Sequence, residues 1–168
     1  VSALGSSGVI LSTGNGNPAG ETGTITVNSA VNWNTANQLS LLAHGDIRFN
    51  ASVRNSSTGN LVAIAGWDGS NGHTAATPGG DADGVLDFAN FVANPGWYGN
   101  ANGTATGSVH VGDGAQTAGI SVGSLSGETH VAGYDVILTG SNGGFAQIGY
   151  GGGGDGFGDI AVHAKGTV

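Results

Sequence analysis

Cysteine is missing from the 168 residues, so the chain has no disulfide framework, no thiolate metal site and no thiol nucleophile. Basic residues are almost as scarce: Arg48, Arg54 and Lys165 stand against 11 acidic residues, for a net charge of −8. That balance removes the cationic surface on which nucleic-acid binding and attachment to anionic membranes depend. Long hydrophobic runs are absent too, since no apolar stretch approaches the roughly 20 residues needed to cross a bilayer. Charged residues of both signs make up 8 % of the chain, against roughly 25 % in an average soluble domain. Disordered chains stay in solution through high charge and low hydrophobicity. Here the apolar share is 38 %, so the chain is expected to fold and bury those side chains. It starts at Val1 with no charged-then-apolar leader, as expected of a mature product or of a piece of something longer whose export signal lies elsewhere.

What is abundant is glycine, at 35 positions, set among Asn, Ser, Thr and Asp. Between the glycine-rich clusters lie short runs with two-residue alternation: 24–27, 39–42, 46–49, 61–64, 108–111, 119–122, 135–138 and 159–162. Such runs read as short strands with one buried face. The clusters between them, such as 13–18 and 56–60, supply the residues that turn sharp corners most easily. Three Asn-x-Ser/Thr triplets, at Asn50, Asn55 and Asn102, fall in the same turn-rich stretches and fit turns as well as glycosylation. Helical periodicity is weak throughout, and its best candidate is Val85–Ala93.

The strand and corner rhythm repeats. Gly45-Asp46-Ile47-Arg48-Phe49-Asn50-Ala51 and Gly158-Asp159-Ile160-Ala161-Val162-His163-Ala164 share the core Gly-Asp-Ile-x-φ-x-Ala, where φ is apolar. Leu39 to Asn60 holds three strand-like pieces and a polar corner, one turn of a three-faced coil of roughly 20 residues, and Leu61 starts the next. The expectation is an all-β, right-handed parallel β-helix with Gly/Asn-rich corners. It forms one domain over 1–168, with 66–107 as an irregular insertion or extended loops.

Leu39 to Ala65 resembles the coils of the filamentous haemagglutinin family of two-partner-secreted adhesins, in which a Leu-x-Leu-x-Ala-Gly strand is followed by a Gly-Asp-Ile-x-φ-x-Ala strand and a Gly/Asn/Thr corner. Segments 131–138, 145–152 and 158–160 resemble a glycine-richer variant, so the resemblance covers about half the chain, and 66–107 departs from it. It implies export to the cell surface or beyond, a structural or adhesive role, and no catalytic residues. Partners would be further copies of the chain or neighbouring repeats of the same polypeptide, with a cell-surface glycan or receptor as a second kind.

Asp81, Asp83 and Asp87 gather three carboxylates around a glycine turn, an oxygen-rich arrangement suited to calcium and equally suited to capping a strand start. No cofactor is otherwise implied. Trp33, Trp67, Trp97 and Tyr98 are candidates for an aromatic sugar-binding platform or for rings that cover the core. They carry the alternative reading, a polysaccharide-binding module. His44, His73, His110, His130 and His163 lack metal-ligand spacing and are expected on the surface. Asp68, Asp113, Asp135 and Asp155 are scattered over corners, without the paired-carboxylate spacing of a glycosidase, so no enzyme is expected.

Overall fold

In a computed structural model, residues 2–13, 23–66, 100–101, 105–151, 158–164 and 166–168 are described. Among the described residues, fifteen short strands and one 3-10 turn, Ala3–Gly5, make up the regular structure. Sheet A consists of β1 (Val9–Ser12), β4 (Leu39–Ala43), β7 (Leu61–Ala65), β12 (Thr129–Gly133) and β15 (Ile160–Ala164), in that spatial order. Sheet B runs β2 (Ile25–Val27), β5 (Ile47–Phe49), β10 (Val109–Val111) and β13 (Val136–Leu138). Sheet C runs β3 (Val31–Trp33), β6 (Val53–Asn55), β11 (Ile120–Ser124) and β14 (Ala146–Ile148). Every pairing within these three sheets is parallel. The chain visits A, B and C in turn and moves up by one strand per circuit, which is a parallel β-helix. A separate antiparallel pair joins β8 (Asn100–Ala101) to β9 (Ala105–Thr106).

Register places like side chains above one another. Leu39 pairs with Leu61, so Leu39–Asn60 is one complete coil. Inward columns run Leu11–Leu41–Ala63–Val131–Val162 in sheet A, Val27–Phe49–Val111–Leu138 in sheet B and Val31–Val53–Val122–Ile148 in sheet C. Their middle members are buried and form one continuous apolar core with Phe49 and Ile47 fully enclosed. At roughly 1.5–3 kcal/mol for each large side chain taken out of water, this core supplies the main driving force for stacking.

Sheet A departs from the expectation of one buried face per strand. All five residues of β4, of β7 and of β12 are buried. Leu42, Val62, Ile64 and Ala132 form a second apolar cluster on the outer side of this sheet. Strands covered on both faces read as unbroken apolar runs, and Leu61-Val62-Ala63-Ile64-Ala65 is one.

The two Gly-Asp-Ile segments also differ from expectation, because they are not the same strand of successive coils. Ile47 lies in sheet B, whereas Ile160 lies in sheet A. The chain uses one chemical device at two corners. Entering sheet B it reads Gly23-Thr24-Ile25, Gly45-Asp46-Ile47 and Gly107-Ser108-Val109; entering sheet A it reads Gly59-Asn60-Leu61, Gly127-Glu128-Thr129 and Gly158-Asp159-Ile160. The polar residue reaches along the stack at both. Asp46 Oδ1 accepts from the Ser108 N–H (2.9 Å), Ser108 Oγ from the Asp135 N–H (3.3 Å) and Asp135 Oδ1 from the Thr167 N–H (2.7 Å). At the other corner Asn60 Oδ1 accepts from the Glu128 N–H (2.9 Å). Glycine is required because the coils touch there: a Cβ on Gly127 would come within 2.5 Å of the Gly59 carbonyl oxygen, and one on Gly158 would overlap the Gly127 carbonyl.

The long segment between β7 and β10 leaves this stack undisturbed. Gly66 donates its N–H to the Gly45 carbonyl (3.1 Å), and the Gly107 carbonyl accepts from Tyr134 (2.7 Å). A Cβ on Gly107 would overlap the Gly66 nitrogen. The two glycines together do the work that a single corner residue does elsewhere, so the chain departs from the coil and returns to it at one point.

Candidate functional site

The two ends of the stack are where its inward-facing residues reach solvent. At the lower end β1, β2 and β3 have neighbours on one side only among the described strands. Leu11, an inward position, is 51 % exposed. A cleft of about 520 Å³ opens there, lined by Leu4, Val9, Ile25, Val27 and Val31 and floored by Leu41. The 3-10 turn partly covers it: the Leu4 side chain is buried, and its carbonyl accepts hydrogen bonds from Thr35 Oγ1 (2.7 Å) and Asn37 Nδ2 (2.9 Å). At the upper end β15, β13 and β14 are the last strands of sheets A, B and C. Inward positions Leu138 and Ile160 are exposed there, as is Val168 beyond them. None of these six end strands contains Asp, Glu, Lys or Arg. Edge strands are ordinarily protected from further pairing by such charges, by proline or by bulges.

The outer face of sheet B holds the best-defined polar cluster. Thr26, Arg48, His110 and Ile137 stand in one outward column. Arg48 Nη2 donates to Asp46 Oδ2 at 2.6 Å, and His110 Nε2 lies 3.7 Å from the same oxygen. Burial, and then the Arg48 guanidinium, hold His110 below the ordinary histidine pKa, outweighing Asp46 and Asp135. With its imidazole favoured in the neutral form, the cluster is a half-exposed ion pair beside a histidine. The other Asp46 oxygen is occupied by the Ser108 backbone. Pairs this exposed are worth about 0–1 kcal/mol.

Of the two places open to Trp33, an exposed aromatic platform or the core, the structure puts it in the core. It is 5 % exposed, and Nε1 donates to the Asn37 carbonyl at 2.8 Å. It sits at the inward position below Asn55, so its ring is covered by the coil and offers no face to a sugar. Trp67, Trp97 and Tyr98 lie outside the described residues, as do Asp81, Asp83 and Asp87, His73 and the 85–93 segment. Among the described residues no group of three or more His, Cys, Asp or Glu side chains converges as a metal site would require. No helix among them is long and apolar enough to cross a membrane.

His130 corrects the expectation of surface histidines. It is fully buried on the outer side of sheet A, in the column Ser40–Val62–His130–Ala161, with Nε2 3.2 Å from Glu128 Oε2. The unbroken apolar run Leu61-Val62-Ala63-Ile64-Ala65 of β7 is the signal that this face is covered. His44, His110 and His163 are half-buried. Asn55 is buried as well, with its amide committed to the Thr35 and Gly59 carbonyls, which closes that triplet to modification in the folded chain.

No known protein family, curated protein or solved structure matches the chain.

Proposed function

We propose that the chain is a structural and adhesive β-helical module of a secreted bacterial surface filament or adhesin, acting through shape, length and exposed loops and not through catalysis. The observation that carries the reading is the use of the polar side chains. Asp46, Asn60, Ser108 and Asp135 each join one coil to the next. Groups that might otherwise form a reactive site therefore serve the stack, in which each described coil rests on the next. The resemblance of Leu39–Ala65 to the filamentous haemagglutinin coil supports the same assignment, with an extracellular or cell-surface location. Calcium, where it binds, would be held by Asp81, Asp83 and Asp87. The alternative of a polysaccharide-binding platform loses Trp33, which the core encloses.

Immunogold labelling of intact producing cells, with antibody raised against the purified chain, tests the reading. Label along surface filaments or over the outer surface is the expected result. Label confined to the cell interior overturns it.

A further inference from the structure

We infer that the outer face of sheet C binds the carboxylate of an acidic sugar, a hexuronate unit of a polysaccharide, through Arg54. The carboxylate follows from the side chains gathered there; the sugar as its bearer rests on the reading of the chain as a surface adhesin.

The two arginines of the chain stand in opposite situations. Arg48, on sheet B, donates to Asp46 at 2.6 Å. Arg54, on sheet C, makes no ion pair among the described residues. Its acceptor is Ser121 Oγ, which takes a hydrogen bond from Nη2 at 3.1 Å. A guanidinium has five N–H donors, so most of this one's capacity is unused. Nε is enclosed and has no acceptor, and the residue as a whole is half-buried. A cation drawn this far out of water is costly until a counter-charge meets it. The four strands of sheet C contain no Asp or Glu to supply one. Arg54 lies in the middle of the stack, with β3 on one side of its strand and β11 on the other.

Neutral hydrogen-bonding groups surround the charge. Asn32, exposed, lies below Arg54 in the same outward column, and Gly123 leaves the level above without a side chain. Ser121 and Gln147 pair in the adjacent outward column. Their polar atoms converge, since a Cβ on Gly151 would lie 2.2 Å from both Ser121 Oγ and Gln147 Nε2. Gly149 and Gly151, with φ of 124° and 55°, allow the chain to turn this closely over the sheet. The Gln147 amide makes no hydrogen bond among the described residues.

This arrangement selects a ligand class. A planar guanidinium takes the two oxygens of a carboxylate side by side. A hexuronate carries that group next to ring hydroxyls, which the Asn32 and Gln147 amides can meet as donors and acceptors. A neutral sugar offers nothing to the charge.

Calorimetric titration of the full chain with an oligogalacturonate, beside the neutral oligogalactose, tests the site. Only the acidic oligomer is expected to bind. Arg54→Gln should weaken it at least about tenfold, and Arg48→Gln, which removes the same charge from an arginine already paired, by less than about twofold. Arg54→Lys keeps the charge, loses the fork and should fall between parent and Arg54→Gln. Gln147→Ala should keep the parent circular dichroism spectrum and bind about threefold more weakly. No binding of the acidic oligomer at millimolar concentration, or equal losses in Arg48→Gln and Arg54→Gln, would overturn the site. Equal affinity for a polyglutamate peptide or a sulfated oligogalactose would overturn the hexuronate as its ligand. The surface labelling described above does not involve Arg54, so location and ligand fail separately.

Discussion

Replacing Asn55 tests how much one buried amide contributes to joining two coils. Its side chain is fully buried. Nδ2 donates to the carbonyls of Thr35 (2.9 Å) and Gly59 (2.8 Å), and Oδ1 accepts from the Ser57 N–H (2.8 Å). Thr35 belongs to the first coil, Ser57 and Gly59 to the second. Asn55→Ala removes all three bonds, but the Thr35 carbonyl keeps the one it receives from the Gly59 N–H (3.1 Å). The full loss therefore falls on the Gly59 carbonyl and the Ser57 N–H. At about 1–3 kcal/mol for each buried group left unsatisfied, the substitution should cost about 4 kcal/mol. With a urea slope of about 2 kcal/mol/M, the midpoint should fall by about 2 M. Asn55→Asp should be worse still at pH 7, because it turns a carboxylate oxygen toward two carbonyls. Burial among carbonyls raises the pKa of such a carboxyl, so this variant should regain stability as pH falls and the protonated acid can donate one bond. Urea unfolding followed by tryptophan fluorescence is the assay, since Trp33 pairs with Asn55 in sheet C. A midpoint within about 0.3 M of the parent for Asn55→Ala, or an Asn55→Asp variant indifferent to pH, would refute the reasoning.

Other positions give sharper contrasts. Gly127→Ala should cost about 1–3 kcal/mol, because its Cβ would come within 2.5 Å of the Gly59 carbonyl oxygen, whereas Gly5→Ala, which meets nothing within 4 Å, should change the thermal midpoint little. Equal effects would show that the coils are not in contact at that corner. Phe49→Ala, at a fully enclosed position between Val27 and Val111, should cost about 3–5 kcal/mol by urea unfolding. His110 has its pKa lowered in the folded chain, so the unfolded chain binds the proton first as pH falls below about 6.5, and stability should decline from there until the folded pKa is passed. Titration by NMR should find His110 below that value, and His110→Gln should flatten this part of the stability profile; a His110 that titrates at or above 6.5 would contradict the burial argument.

The stacked-coil architecture was legible because parallel stacking repeats its pattern with little interference. All eight alternating runs became strands, and Leu39–Asn60 became one coil with Leu61 above Leu39. Three kinds of information were not local enough to read. β3 and β14 are only three residues long, and each is a strand because its neighbours in sheet C hold it there. The Gly-Asp-Ile repeat was visible, but its meaning was ambiguous, because a close-packed corner followed by an apolar strand demands the same tripeptide at two places in the circuit. The burial of His130 depends on what lies over the outer side of sheet A, and one histidine in Thr129-His130-Val131-Ala132 does not announce it. Trp33 follows the same logic: its residue type suits an exposed platform and a core ring equally, and only the register sets it inward below Asn55.

The low charge that first set this sequence apart has a structural cause, and that cause bears on function. In a stacked coil each corner residue lies directly over its counterpart, so a charged series at one corner would place like charges about 4.8 Å apart along the axis. At the corner into sheet B the chain avoids this by alternating chemistry. The corner into sheet B runs Asp46, Ser108, Asp135, Thr167, with a neutral hydroxyl between each carboxylate and the next level, and each link accepts a backbone N–H from the coil above. The corner into sheet A sets Asn60 beneath Glu128 but places Asp159 above Glu128, so the alternation is kept there over one level only. Side chains that join coils in this way are not free to form a reactive centre, and a stack held by them gains stability with each added turn. Among the described strands, those with a neighbour on one side only are at the ends, where the apolar columns reach Leu11, Leu138 and Ile160. An architecture that commits its corner side chains to the coil above is suited to stacking along its axis, with the polar links of one corner repeated from level to level.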